Sequence, residues 1–134
     1  MKPGKKSEAV EESRRRKSLG KAGESVARSH LENLGFRIVS ANFRKRSGEI
    51  DIIARRQNLL VFCEVKTRIG TGDPVEGYGG TQQRRMVEMS EAYINENADL
   101  LPKVFDLRYD LIVVGAGEGG ILGVTEHITD AFRP

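Results

Sequence analysis

The chain has 134 residues, of which 38% are hydrophobic and 31% are charged, a balance typical of one globular domain with a modest core. No apolar run approaches the roughly 18 residues of a membrane span, and no apolar stretch near the N-terminus suggests a signal peptide, so we expect a cytoplasmic protein. The net charge of +3 is weak support for a nucleic-acid partner, because residues 1–17 alone carry seven basic and three acidic side chains.

Those residues 1–17 are predicted to form a basic disordered tail, separate from a domain that spans residues 18–134. The tail contains almost no large apolar side chain that could pack against a core. Its cluster of basic residues could contact phosphate nonspecifically, and a plain solvated tail is the alternative that the sequence leaves open.

The first predicted helix covers residues 18–35, with Ser18 as its cap and Gly35 at its end. Its apolar residues recur at helical spacing and form one stripe. Glu24 lies at the edge of this stripe. It could reach into a metal site, or it could simply be an acidic residue that is favourable near a helix N-terminus.

Residues 36–42 predict a strand and residues 43–48 a basic turn. Residues 48–68 then contain two apolar runs, each rich enough in β-branched residues to be a strand. These runs carry charged residues where a buried strand should have none, namely Asp51, Glu64 and Lys66. Buried charge is costly unless it is paired or holds a metal, so this segment is the place to look for function.

A two-residue turn at Gln57 and Asn58 would place Asp51 directly opposite Glu64, with Lys66 on the same face as Glu64. A bulge or a longer turn would shift this register by one residue. Two adjacent carboxylates repel each other unless a cation lies between them, and oxygen ligands suit Mg²⁺ or Mn²⁺. A structural network of Asp, Glu and Lys is the alternative.

The remaining chain predicts a mobile glycine-rich loop at residues 69–80, a helix with Thr81 as its cap that runs to about residue 97, and strands at residues 104–114 and 121–129. The predicted order is therefore α-β-β-β-α-β-β, an α/β fold with a mixed sheet covered by helices. Asp110 is expected to pair with Arg108 or Lys66. Cys63 is expected to be a small buried hydrophobe, and the isolated residues His30 and His127 are not expected to act in catalysis.

Several sequence segments resemble those of a known family: GKAGESVARSHLENLGFRIVSANFR, GEIDIIA, LVFCEVKTR, QQRR, RYDLIVV and HITDAF. Together they resemble the YraN-type family of predicted endonucleases, within the PD-(D/E)xK superfamily of restriction-endonuclease-like folds. That family is similar to archaeal Holliday junction resolvases. The resemblance implies a central sheet of about five strands flanked by helices.

The resemblance also implies roles for individual residues. Asp51, Glu64, the Val65 carbonyl and Glu24 would hold Mg²⁺ or Mn²⁺, and Lys66 would assist the attack of water. Gln83 is the candidate for a further polar residue in the catalytic site. Related proteins usually have Lys where this chain has Gln82, which leaves a substrate contact there in doubt.

The function expected from these features is metal-dependent hydrolysis of phosphodiester bonds in DNA, with branched DNA as one substrate class, in repair or recombination. A nuclease-fold module that binds nucleic acid with little or no cleavage is the alternative. Resolvase-like folds often work as dimers, so a homodimer is also considered, although no dimer interface is evident in the sequence. The expected nucleic-acid contacts are basic side chains near these strands and the second helix: Arg44, Lys45, Arg46, Arg68, Arg84 and Arg85.

Overall fold

The structure is a computed structural model that describes residues 5–70 and 78–134. Most of the loop expected at residues 69–80 therefore lies outside the described residues. Within these described residues, two helices and five strands follow one another, with short 3₁₀ turns at Ala98–Leu100 and Glu118–Gly120. Their bounds are α1 Lys5–Asn33, β1 Arg37–Lys45, β2 Gly48–Arg56, β3 Leu59–Arg68, α2 Gly80–Glu96, β4 Asp106–Ala116 and β5 Leu122–Ile128.

The five strands form one mixed sheet in the order β1-β2-β3-β4-β5. The pairs β1–β2, β2–β3 and β4–β5 are antiparallel, whereas β3 and β4 are parallel. The parallel pair requires a crossover connection, and α2 supplies it. The predicted α/β class and the element order are confirmed.

Each face of the sheet is covered by one helix, which produces two apolar layers. On one face, Ala27 and Leu31 of α1 pack against Ile52, Val61 and Ile112. On the other face, the buried side of α2 packs against β2 and β3, with Met86, Met89, Tyr93, Ile53 and Phe62 as major members. Within the described part of the chain, no helix combines the length and the apolar character needed to cross a membrane.

Helix α1 begins at Lys5 rather than at Ser18, so the predicted start of this helix is wrong. Residues 7–18 are almost entirely exposed and bear no apolar stripe, which is why the pattern did not indicate a helix. Their composition favours a helix, since Glu, Arg, Lys and Ala have high helix propensity, and Glu12 pairs with Arg15 and Arg16 one turn later. The separation of residues 1–17 from the domain as an independent unit stays a prediction.

Other boundaries differ because strand partners and backbone caps set them. Strand β1 runs to Lys45, beyond the predicted end at residue 42, because its last residues pair with the start of β2. Strand β4 covers Asp106–Ala116, in register with the full length of β3. The N-cap of α2 is Gly79, and Thr81 instead accepts a hydrogen bond from Arg84 at 3.3 Å, so the predicted Thr81 cap is wrong.

Candidate functional site

The β2–β3 hairpin brings two carboxyl groups together where its strands separate. Arg56 pairs with Leu59 across Gln57 and Asn58, as the two-residue turn predicts, and the paired ladder reaches Ile52 and Cys63. Continued by one residue, the same register would set Asp51 opposite Glu64. The two carboxyl groups are close enough for each to affect the pKa of the other.

The backbone of β3 anchors the Asp51 carboxylate. The Val65 N–H donates a hydrogen bond of 2.8 Å to Asp51 Oδ2, so the side chain takes the place of the ladder bond that the separating strands no longer make. The described contact is thus made by the Val65 amide. Metal ligation by the Val65 carbonyl stays a prediction.

In strand β2, the regular alternation of side chains between the two faces of the sheet is broken at Asp51. Ile50 packs against α2, whereas Ile52 packs against α1, although residues two apart in a regular strand share a face. The change lies across the ladder from Asn42, whose φ of 56° is in the left-handed region. This irregularity directs Asp51 toward α1, and simple alternation along the strand did not predict it.

Glu24 of α1 and Glu49 of β2 complete an acidic cluster. One carboxylate oxygen from each of Glu24, Glu49 and Asp51 lies within 4.8 Å of the other two. The Asn42 side chain lowers the pKa of Glu24 against the larger effect of burial, and Arg44 approaches Glu49 at 3.2 Å. The only sequence signal for the position of Glu49 is its i, i+2 spacing with Asp51.

A glycine allows α1 to approach the sheet closely enough to present Glu24. A Cβ atom built at Gly23 would collide with the Thr67 hydroxyl and lie 3.1 Å from Thr67 Cβ. Any larger residue would push α1 away from β3. The residue before Glu24 therefore sets how far this carboxylate reaches toward Asp51.

The pKa values of the clustered acids reflect burial and mutual repulsion. Burial, and then the charge of Glu64, raises the pKa of Asp51 to about 8. Burial also raises the pKa of Glu64, against the lowering effect of Lys66. The pKa of Glu24 is raised, first by burial. Burial is the largest cause of the raised pKa in all three acids.

Lys66 is a cation in direct contact with Glu64. Its Nζ lies 3.3 Å from Glu64 Oε1, and both side chains are about a quarter exposed, at 30% and 22%. A partly exposed ammonium beside a buried carboxyl pair can contact an anion that enters from solvent.

The donor set fits a hard divalent cation. Glu24, Glu49 and Asp51 offer only oxygen ligands, which Mg²⁺ and Mn²⁺ prefer. Cys63, the nearest soft ligand in sequence, is fully buried in the apolar layer below α1. The carboxylates that converge differ from the expected set, because Glu49 joins Glu24 and Asp51, while Glu64 reaches Asp51 from β3 without joining the mutual cluster.

Gln83 lies in the first turn of α2, where the sequence placed it. Its Nε2 donates a hydrogen bond of 3.0 Å to the Tyr78 carbonyl, and among the described residues no hydrogen bond joins it to the carboxylates. Gln83 therefore holds the end of the loop that follows β3. Its role in the catalytic site stays a prediction.

The six basic residues expected to bind nucleic acid fall in three places. Arg44, Lys45 and Arg46 are exposed around the β1–β2 turn, where Lys45 also pairs with Glu96. Arg68 is half-buried at the end of β3, and Arg84 and Arg85 are exposed on α2. Their contact with nucleic acid stays a prediction.

A second polar network lies on the α1 face, and the sequence indicated only one of its pairs. Asp110 is fully buried and is held by two hydrogen bonds of 2.9 Å from Arg108, which confirms the expected pair. His127 Nε2 lies 2.8 Å from Asp110 Oδ2, and His127 Nδ1 lies 3.0 Å from His30 Nε2. The two histidines are therefore in contact and not isolated.

Comparison with known proteins gives consistent matches. Residues 23–114 match the sequence profile described as "Uncharacterised protein family UPF0102". A UPF0102 protein of Azorhizobium caulinodans is 36% identical over 124 residues, which cover 90% of this chain and 89% of the relative. A UPF0102 protein of Dictyoglomus thermophilum is 35% identical over 118 residues, covering 87% of this chain and 98% of the relative.

Proposed function

Because this chain belongs to the UPF0102 family, the YraN-type group, we propose that its acidic cluster is the centre of a nuclease that depends on Mg²⁺ or Mn²⁺. The proposed reaction is hydrolysis of phosphodiester bonds in DNA. Branched DNA is the proposed substrate class, in cytoplasmic repair or recombination. The sequence contains no recognisable base-reading helix, so shape rather than base sequence would select the substrate.

The observation that carries this proposal is the position of the Asp51 carboxyl group. It is held by the Val65 amide, its pKa is raised in part by the charge of Glu64, and it lies within 4.8 Å of acids from α1 and from its own strand. Arg44 pairs with Glu49, and Lys66 pairs with Glu64. Among the described contacts, the Asp51 carboxyl group itself has a backbone amide and other acids as neighbours, and a bound cation would offset this concentration of negative charge.

Different residues of the chain would have different roles in hydrolysis. Asp51 with Glu24, Glu49 or Glu64 would hold the cation, which when bound lowers the pKa of a nearby water and offsets charge on the phosphate. Glu64 keeps Lys66 Nζ at the site. From there Lys66 would donate hydrogen bonds to the phosphate oxygens as negative charge develops, and would orient the attacking water.

The first experiment is a cleavage panel with Mn²⁺ on hairpin, flap, four-way junction, linear duplex and single-stranded DNA. The variants are Asp51→Ala and Lys66→Ala, and the matched control is Asp106→Asn, since Asp106 is exposed at the start of β4. We expect both site variants to lose at least a hundredfold in rate, with the control unchanged. Metal-dependent cleavage that persists in both site variants would refute the assignment.

The alternative function, a nuclease-fold module that binds nucleic acid without cutting it, is distinguished by metal binding. Calorimetric titration of Mn²⁺ into the wild-type protein and into Asp51→Asn separates the two functions without relying on activity. Heat that disappears in Asp51→Asn supports the nuclease. DNA binding by a protein that binds no Mn²⁺ would support the module.

A further inference from the structure

Helix α1 carries a row of basic side chains that leads directly to the acidic cluster. Arg14, Lys17 and Lys21 are spaced three and four residues apart, and Glu24 continues the same spacing. At about 100° per residue the three cations occupy an arc of roughly 60° on one side of the helix, and Glu24 lies at the edge of that arc. We call Arg14, Lys17 and Lys21 the α1 basic stripe.

We propose that the α1 basic stripe binds the phosphate backbone of the nucleic acid on one side of the bond to be cleaved. This inference rests on the proposed function, and it assigns a substrate-binding role to one face of a helix where the sequence left open nonspecific phosphate contact or a plain solvated tail. The reasons are its continuity with the site, its unneutralised charge and its length.

The stripe is continuous with the site through a shared cavity. A cavity of about 240 Å³ is lined by Lys21 and Glu24 of α1, and by Asn42 and Asp51 of the sheet. The last cation of the stripe thus borders the same space as two members of the acidic cluster. A strand whose phosphate lies at Asp51 would pass Lys21 as it leaves in this direction.

The charge of the stripe is available to a ligand. Glu12 pairs with Arg15 at 3.2 Å and with Arg16 at 3.4 Å, which occupies the two arginines that point elsewhere on the helix. Among the described residues, no carboxylate lies within salt-bridge distance of Arg14, Lys17 or Lys21. All three side chains are exposed.

The length and polarity of the segment favour a nucleic-acid backbone. Ten residues separate Arg14 from Glu24, a distance of about 15 Å along the helix axis, or roughly four base pairs of duplex at 3.4 Å each. A membrane-bound helix would need an apolar face opposite its basic residues. Residues 7–18 have none, since Val10 is their one large apolar side chain.

The test compares two triple variants that lose the same charge. The stripe variant is Arg14→Gln, Lys17→Gln and Lys21→Gln, and the control is Arg15→Gln, Arg16→Gln and Lys103→Gln, where Lys103 is exposed before β4. Gln preserves helix propensity. A third variant, Arg14→Lys, Lys17→Arg and Lys21→Arg, keeps the charge and should bind like the wild type, and circular dichroism checks that α1 remains folded in each.

The readout is the affinity for a fluorescent 30-base-pair DNA, measured by anisotropy in EDTA at several salt concentrations, so it does not depend on cleavage. We expect the stripe variant to bind at least tenfold more weakly at about 0.1 M salt. Its slope of log K against log salt should be smaller by about 2 to 3, because three phosphate contacts are lost. The control should change the slope by less than about 1.

The outcomes separate this inference from the proposed function. Equal weakening in the stripe variant and the control would overturn the role of the stripe, even if the wild-type protein cleaves DNA. A stripe-specific loss in a protein that does not cleave would support the stripe and refute only the nuclease. A wild-type protein that binds no DNA at 50 mM salt would overturn the proposed role of the stripe. The cleavage panel tests the proposed nuclease activity separately.

Discussion

Asp51 illustrates how a functional residue can oppose stability. Its carboxyl group is buried beside Glu64, and its pKa is raised from 3.8 to about 8. A raised pKa means that the folded protein binds this proton more tightly than the unfolded chain does. Without metal, the stability that Asp51 contributes is therefore complete below about pH 4 and is lost as the pH rises through 8.

Replacing Asp51 by Asn should therefore stabilise the metal-free protein at alkaline pH. We expect Asp51→Asn to gain about 2 kcal/mol in free energy of unfolding at pH 8.5 and to show little difference near pH 4, because the neutral amide cannot repel Glu64. Urea unfolding in EDTA at both pH values measures this. Asp106→Asn should stay within about 0.5 kcal/mol of the wild type, and an alkaline loss of stability in Asp51→Asn would contradict the argument.

The pair of histidines has one consistent hydrogen-bonding scheme while Asp110 is ionised. Burial alone would raise the pKa of Asp110, but hydrogen bonds from His127, Arg108 and the Asp130 N–H outweigh burial and lower it. His127 Nε2 then donates to Asp110, so His127 Nδ1 accepts from His30 Nε2 in the neutral pair. Burial, and then repulsion from His127, lowers the pKa of His30.

This arrangement predicts a loss of stability on the acid side of neutrality. A histidine whose pKa is lowered by folding contributes stability above about pH 6.5, and that stability is lost as the pH falls through the folded pKa. His30→Gln keeps a donor near His127 and removes the titration. Urea midpoints between pH 7.5 and pH 5 should fall more steeply for the wild type than for His30→Gln, and parallel curves would refute the role of His30.

At the scale of elements, the position of α1 depends on one glycine. Gly23 faces Thr67 of β3, where an added Cβ would collide with the hydroxyl, whereas a Cβ at Gly20 would have no atom within 4 Å. The same substitution should therefore have opposite effects at two sites one turn apart. A residue with a Cβ at Gly20 would change stability only through its higher helix propensity, which is stabilising. At Gly23 the collision of the added Cβ with β3 would outweigh that gain.

We expect Gly20→Ala to stabilise the protein by about 0.5 to 1 kcal/mol. Gly23→Ala should destabilise it by roughly 1 to 3 kcal/mol, as overpacking does, and should weaken Mn²⁺ binding because Glu24 moves with α1. Urea unfolding and calorimetry measure the two effects. The double variant Gly23→Ala, Thr67→Ala removes the collision and should recover most of the loss, and a failure to recover would show that Thr67 is not the cause.

The hairpin could be predicted because its information is local. The charged residues inside two apolar runs and the short Gln57–Asn58 turn fixed the register of β2 and β3, and with it the contact between Asp51 and Glu64. Glu49 and Asn42 could not be assigned from the sequence, because their contacts depend on a change of facing direction in β2. The contact between His30 and His127 joins residues 97 positions apart, and no local pattern encodes such a distance.

At the scale of the whole molecule, the acidic cluster joins parts that are otherwise held by different forces. Glu24 belongs to a helix that is attached through an apolar layer and the contact of His30 with His127, whereas Glu49 and Asp51 belong to the hydrogen-bonded β1–β2–β3 ladder. A cation bound by all three carboxylates would stabilise the attachment of α1 to the sheet. Binding at 100 times the dissociation constant contributes about 2.7 kcal/mol to the native state.

Metal binding should therefore change hydrogen exchange in a pattern that identifies its ligands. With Mn²⁺, amides of both the second half of α1 and the β1–β2 hairpin should exchange more slowly, because local opening of either element breaks a ligand bond. In Glu24→Gln the slowing should vanish in α1 and persist in part in β2, while Glu32→Gln, an exposed residue on the same helix, should behave like the wild type. Equal protection of α1 in the wild type and in Glu24→Gln would exclude Glu24 as a ligand, and slowing confined to β2 and β3 would leave Asp51 and Glu64 as the metal site.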